Sequence, residues 1–162
     1  KSAAADRKRA SLLRGMESLQ RGRLQLEIGN YNEALESFAK VIESDSNNTE
    51  AYMLKAYSHA NLDRVGEAIL DYTAVISIEP GHPEARLARG RLRNEHNDYP
   101  GAIEEFTAHL KHHPDDLRVY LERAAALRAV GREEEASRDE KRYSELTGRR
   151  IWVDHAPDVK TD

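Results

Sequence analysis

Three histidines crowd the stretch HLKHHP, at His109, His112 and His113. His109 and His113 stand four apart, so a helix sets them on one face, a spacing that can hold zinc between two imidazoles. His96 is the third nitrogen that such a site would recruit. Carboxylates are abundant, but they run side by side, as in Glu104–Glu105, whereas glycoside hydrolysis needs two of them facing each other across a cleft. No G-x-x-x-x-G-K-[ST] loop and no G-x-S-x-G elbow is present. With no cysteine, thiolate and disulfide chemistry are excluded. The residues supply no catalytic set, so the expectation is a protein that is not an enzyme, with no catalytic residue and no cofactor. His59 and His82 read as ordinary surface or turn residues.

What must position these side chains is a repeat. Alanine stands at 34, 68, 102 and 136, always 34 residues on, inside near-copies: NEALESF at 32–38, GEAILDY at 66–72, PGAIEEF at 100–106 and the weaker EEEASRDE at 133–140. Stacked at that period, one column holds Gly22, Ala56, Gly90 and Ala124. A second holds Phe38, Tyr72, Phe106 and the discordant Glu140, and a third holds Ser46, Pro80, Pro114 and Gly148. Small residues let two helices approach, aromatics fill the space between successive units, and proline ends a helix. Ala34, Leu35, Phe38, Val41 and Ile42 make one helical stripe. IGNYN, LDRVG, HNDYP and VGREE interrupt each row with turn formers. Each row is therefore a helix A, a turn and a helix B. A single pair cannot bury both its faces, so neighbours stack and the end units turn polar. An arginine placed in the alanine column, at Ala102 for instance, should not fit. In the fourth row Glu140 and Ser144 replace an aromatic and an aliphatic, which makes its second helix, 132–147, the polar cap.

This pattern of small residue, alanine, aromatic and proline resembles the tetratricopeptide repeat family over residues 15–150. The resemblance implies an all-α, right-handed superhelical solenoid of antiparallel helix pairs in four repeats, at 15–48, 49–82, 83–116 and 117–150. Row one departs at Ser18, where the family has an aromatic, and at Ser46, where it has proline. The family's packing phases also fall on His109 and His112, which turns the histidine cluster into tolerated core substitutions; no metal is expected.

Charge is divided along the rows. The A halves carry ten Lys/Arg against six Asp/Glu, the B halves nine against nineteen. In the family the A helices line the concave surface, so the resemblance implies a mildly basic groove and an acidic back. By family phase the groove residues are Leu19, Arg23, Met53, Leu54, Tyr57, Leu87, Arg91, Leu121 and Arg128. Leu19, Met53, Leu54 and Tyr57 make one end apolar, and Arg91, Arg118 and Arg128 can clamp carboxylates at the other. The expected function is a non-catalytic adaptor or scaffold that holds an apolar/acidic peptide segment of a protein partner. Chaperone adaptors of the family clamp an acidic C-terminal tail with Lys, Asn, Asn, Lys and Arg. Here those places hold Leu19, Arg23, Leu54, Glu84 and Ala88 or, one row on, Met53, Tyr57, Ala88, Arg118 and Glu122, so that clamp is not expected. Rows two and three are also similar to the repeats of J-domain co-chaperones, which makes client holding the alternative. Arg21, Lys55, Arg89 and Arg123 share a column to which no binding role is given.

Nucleic acid is not an expected partner. RKR at 7–9 and the arginines 86, 89, 91 and 93 are spread around helices, the net charge is −4, and no base-stacking platform is visible. No apolar run reaches the roughly 18 residues that span a membrane. The lack of cysteine suits a reducing, cytoplasmic setting. Residues 1–14 read as a basic lead-in that extends the first helix. In the tail 151–162, Ile151, Trp152 and Val153 form the apolar run that either caps the last pair or serves self-association.

Overall fold

In the computed structural model, which describes residues 2–148, the period becomes a succession of helices. They are α1 (Ala3–Glu27), α2 (Tyr31–Ser44), α3 (Thr49–Asn61), α4 (Val65–Ile78), α5 (Pro83–Glu95), α6 (Tyr99–His112), α7 (Leu117–Ala129) and α8 (Glu133–Thr147). No strand occurs among the described residues. Ile151, Trp152 and Val153 lie outside them. The chain forms two compact units that meet in sequence between Asp98 and Tyr99, the first built from α1 to α5 and the second from α6 to α8.

The turns show how 34 residues become two helices. Gly29, Asp63, Asn97 and Gly131 stand one period apart, and their φ angles are 76°, 57°, 64° and 77°. A left-handed residue at that place ends an α-helix and redirects the chain, and Gly, Asn and Asp adopt it at least cost. The next helix starts on a cap. Asn48 accepts the Ala51 N–H at 2.9 Å, and His82 accepts the Ala85 N–H at 3.3 Å, with Pro83 in the first turn. Asp116 holds the same phase before α7 but makes no side-chain cap, because its carboxylate lies 3.0 Å from His109 Nε2. Pro80 and Pro114 follow the ends of α4 and α6, as their missing N–H requires.

Burial follows the columns. Ala34, Ala68, Ala102 and Ala136 have no exposed surface, nor have Phe38 and Phe106. In the first unit Ala56, Ala68, Tyr72 and Leu92 cluster, with Met53, Val65 and Ile69 around them. In the second, Ile103, Ala124, Ala126, Leu127 and Ala136 do so, joined by Tyr99. α1 and α2 approach where Gly22 leaves room for the Phe38 ring: a Cβ built on Gly22 would lie 2.8 Å from Cζ and 2.9 Å from Cδ1 of that ring. Alanine is accepted at the same phase in α3 and α7, so the demand comes from the pose of Phe38, not from the phase. Gly22→Ala should therefore cost about 1–3 kcal/mol, the price of overpacking, and Phe38→Leu in the same chain should recover part of it. Urea unfolding of the two single variants and the double variant measures this; additive losses would refute the contact.

The reading of His59 as a surface residue is corrected. It is buried, with Nδ1 2.9 Å from Asp71 Oδ2, and Lys55 Nζ reaches the other oxygen at 2.9 Å. Asp71 points inward from α4 and is itself buried, so it draws both partners from α3 under cover. The second unit repeats the arrangement at the same sequence separation. Arg123 Nε and Nη2 grip the two oxygens of buried Asp139 at 2.7 and 2.6 Å.

Candidate functional site

Helix α3 carries Met53, Leu54 and Tyr57 at i, i+1 and i+4. One period later α5 carries Leu87, Ala88 and Arg91 at the same phases. All six line one cleft of the first unit, with a volume of about 660 Å³. Thr49 and Glu50 from the first turn of α3, His82 and Glu84 at the start of α5, and Tyr72 from α4 complete its walls. The walls are thus apolar in the middle and polar at the rim. Tyr57 is 50% exposed, and its ring stands edge-on to Tyr31 with centroids 6.4 Å apart, which holds it upright without covering it. Burial pushes the Tyr72 phenol above its ordinary value, and the Glu95 carboxylate adds to this, so the cleft wall stays neutral there at physiological pH.

Five of the nine groove residues named from the sequence, Met53, Leu54, Tyr57, Leu87 and Arg91, meet in this cleft. Leu19 and Arg23 are not among its lining; Arg23 instead ion-pairs with Glu50 on the rim. Leu121 and Arg128 belong to the second unit. The guanidinium of Arg128, expected to face a foreign carboxylate, is engaged by the chain's own acids. It donates through Nη1 and Nη2 to Glu140, the latter at 2.8 Å, and Nε lies 3.3 Å from Glu133. The reason lies in the sequence: Glu140 occupies the aromatic column of the last repeat, and a carboxylate turned toward packed helices needs a cation. Tyr72, His82 and Thr49 were not read as site residues. Tyr72 stands in the aromatic column, and only its hydroxyl, absent from Phe38 and Phe106, marks a polar destination.

The histidine cluster makes no metal centre among the described residues, where no three metal-ligating side chains converge. His109 is buried with Nε2 turned to Asp116, and its ring lies against that of His113, centroids 4.8 Å apart. The column of Arg21, Lys55, Arg89 and Arg123 serves packing where it is engaged. Lys55 and Arg123 hold buried aspartates, and Arg89 donates to Thr73 at 2.7 Å.

Known proteins show the same construction. The tetratricopeptide repeat family model matches residues 19–83 and 87–142. A DnaJ homolog subfamily C member 7 homolog of Dictyostelium discoideum is 27% identical over 99 residues, 58% of this chain and 18% of that protein. The tetratricopeptide repeat and J domain-containing co-chaperone DNJ1 of Fusarium oxysporum f. sp. lycopersici is 30% identical over 88 residues, 54% of this chain and 17% of that one. The matched region is thus less than a fifth of the length of either relative. Among solved structures, a crystal structure of MamA superposes with a TM-score of 0.76 at 23% identity, over 83% of this chain and 78% of that one. The first tetratricopeptide domain of Spaghetti (RPAP3), bound to the HSP90 peptide SRMEEVD, superposes with a TM-score of 0.67 at 18% identity, over 74% and 94%. The repeat period, its left-handed turns and the family match lead to one conclusion: this chain is a member of the tetratricopeptide repeat family.

Proposed function

We propose that the chain is a protein-interaction module whose first unit holds an apolar segment of a partner protein between α3 and α5. The observation that carries this is the cleft wall made by Met53, Leu54, Tyr57 and Leu87, with Tyr57 half open to solvent. Apolar side chains gathered in a concavity gain by being covered. Arg91 on the same wall gives the ligand a preferred end: an acidic residue of the segment lies toward α5, an apolar anchor toward α3. Glu84 and Glu50 on the rim oppose a ligand whose own carboxylates fall beside them. The peptide SRMEEVD is therefore a poor ligand here, although a domain of the same fold binds it.

The experiment is fluorescence anisotropy with a positional-scanning set of labelled peptides. Each peptide carries one Leu, Phe or Trp anchor and one Asp or Glu at varied spacing, and SRMEEVD is the comparison. Anchored acidic peptides should bind with Kd on the order of 10 µM, the range of small, wet interfaces. Leu54→Glu should weaken them at least about tenfold, the effect of setting a charge against a desolvated anchor. Arg91→Glu should remove the preference for the acidic residue. Retention of binding in Leu54→Glu would move the site elsewhere. The second reading, client holding, is favoured by the J-domain co-chaperone relative. On that reading the same cleft suppresses aggregation of heat-unfolded citrate synthase, and Leu54→Glu abolishes the protection.

A further inference from the structure

Helix α1 differs from the other odd-numbered helices. It runs for 25 residues where α3, α5 and α7 have 13 each. Leu12, Leu13, Met16 and Leu24 along it, and Ile28 at its cap, are all exposed. The position of Leu24 is informative. It is 60% exposed, whereas its counterparts one, two and three periods on, Ser58, Leu92 and Ala126, are buried. The preceding even helix packs there in each case: α2 against α3, α4 against α5, α6 against α7. That contact has a polar signature as well. Arg89 donates to Thr73 at 2.7 Å and Arg123 to Thr107 at 3.0 Å. Arg21 holds the same phase on α1. Among the described residues its side chain makes no hydrogen bond or ion pair, and neither does that of Glu17, one turn earlier; both border a concavity shared with Lys40 and Glu43 of α2. The face is built like the interior ones, and among the described residues no helix lies on it.

We propose that this face is the seat of a second copy of the chain, α1 lying antiparallel on α1 about a two-fold axis that passes between Glu17 and Arg21. With that axis the stripe complements itself. Leu13 of one copy meets Leu24 of the other, Ile28 lies over the small Ala10, and Glu17 meets Arg21, each contact occurring twice because the interface is isologous. Two other ways of bringing copies together set like charges against each other at these phases. Head-to-tail stacking would set α8 on α1, and α8 carries Lys141 at the phase where α4 and α6 offer Thr73 and Thr107, so a cation would face Arg21. A parallel pair would set Glu17 against Glu17 and Arg21 against Arg21. The antiparallel overlap covers residues 10–28, about 28 Å of helix. One such helix pair falls at the small end of specific interfaces, so the association is weak and reversible.

Sedimentation equilibrium of the full chain tests this, with far-UV circular dichroism confirming that the substitutions, all at exposed positions, leave the helices intact. Wild type should dimerise with Kd on the order of 10–100 µM, as a small interface allows. Leu24→Glu and Arg21→Glu should each raise Kd at least about tenfold, and Glu17→Arg with Arg21→Glu, which exchanges the two charges, should return it to within about threefold of wild type. A wild type that stays monomeric to about 500 µM overturns the proposal. So does a dimer indifferent to Leu24→Glu and Arg21→Glu, or a charge exchange that leaves the chain as monomeric as Arg21→Glu alone.

Discussion

With arginine at Ala102, α6 to α8 lose their cooperative unfolding transition, and their amides exchange as an unfolded chain's do. Ala102 has no exposed surface. It holds the phase of Ala68 and Ala136, which cluster with Ala56 and Ala124 at the closest approach of paired helices. An arginine there adds six heavy atoms beyond Cβ to a space that holds none and removes a guanidinium from water. Overpacking alone costs about 1–3 kcal/mol, and burying the charge without a partner adds several more. A unit of about 50 residues commands roughly 2–8 kcal/mol in total, so the loss exceeds what it has. Ala102→Gly, which adds nothing and removes one methyl, should cost only about 1 kcal/mol through helix propensity. Hydrogen exchange resolved by helix, together with a thermal melt, separates the cases. A melting curve of the arginine variant that overlays wild type would refute the packing argument.

The alanines, the aromatics, the prolines and the turn residues made the fold legible, because each column has one physical task and departs from it only in an end repeat, at Ser46, Glu140 and Gly148. Gly29, Asp63, Asn97 and Gly131 differ in type, yet share a left-handed backbone, so a turn-former cluster foretold the geometry better than any single residue type. The site was legible only in part. Met53, Leu54 and Tyr57 share phases with Leu87, Ala88 and Arg91, so periodicity alone sets them on matching faces. The partners of the charged groups were harder to read. Net charge per half-repeat describes the acidic B helices, but not that Asp71 and Asp139 turn inward. A second pair of columns, basic at 55, 89 and 123 and acidic at 71, 105 and 139, holds that information. The constant separation of 16 residues is what half a helix, a turn and half a helix need to bring two side chains level, and His59 joins Lys55 because it lies one turn further along the same helix.

The inward aspartates also explain why so charged a chain can pack such small cores. Alanine and glycine at the contacts leave little apolar area to bury, and the pairs α3–α4 and α7–α8 gain instead from an ion pair on a buried aspartate that fixes their register. Such a pair is weak evidence for stability as a whole, yet breaking it from one side is costly. The polar ties are therefore places where the repeat is specified, while the apolar residues supply the burial.

The sharpest test of this division lies at Arg123. Its fork holds both oxygens of Asp139, and Nη1 donates to Thr107 at 3.0 Å, so one side chain ties α7 to α8 and to α6. Arg123→Met keeps the length and apolar stem of the side chain but leaves Asp139, only 5% exposed, without a cation. The expected loss is about 3–5 kcal/mol, the cost of a buried charge deprived of its partner. Arg123→Lys keeps a charge and gives up the two-pronged geometry, so it should fall between. Arg123→Met combined with Asp139→Leu removes the charge along with its partner, and should recover most of the stability lost in Arg123→Met alone. Urea midpoints at constant m-value rank the three variants. If the double variant is no more stable than Arg123→Met, packing by the arginine stem, and not the buried carboxylate, sets the cost, and the ion pair loses its role in fixing the register of the repeat.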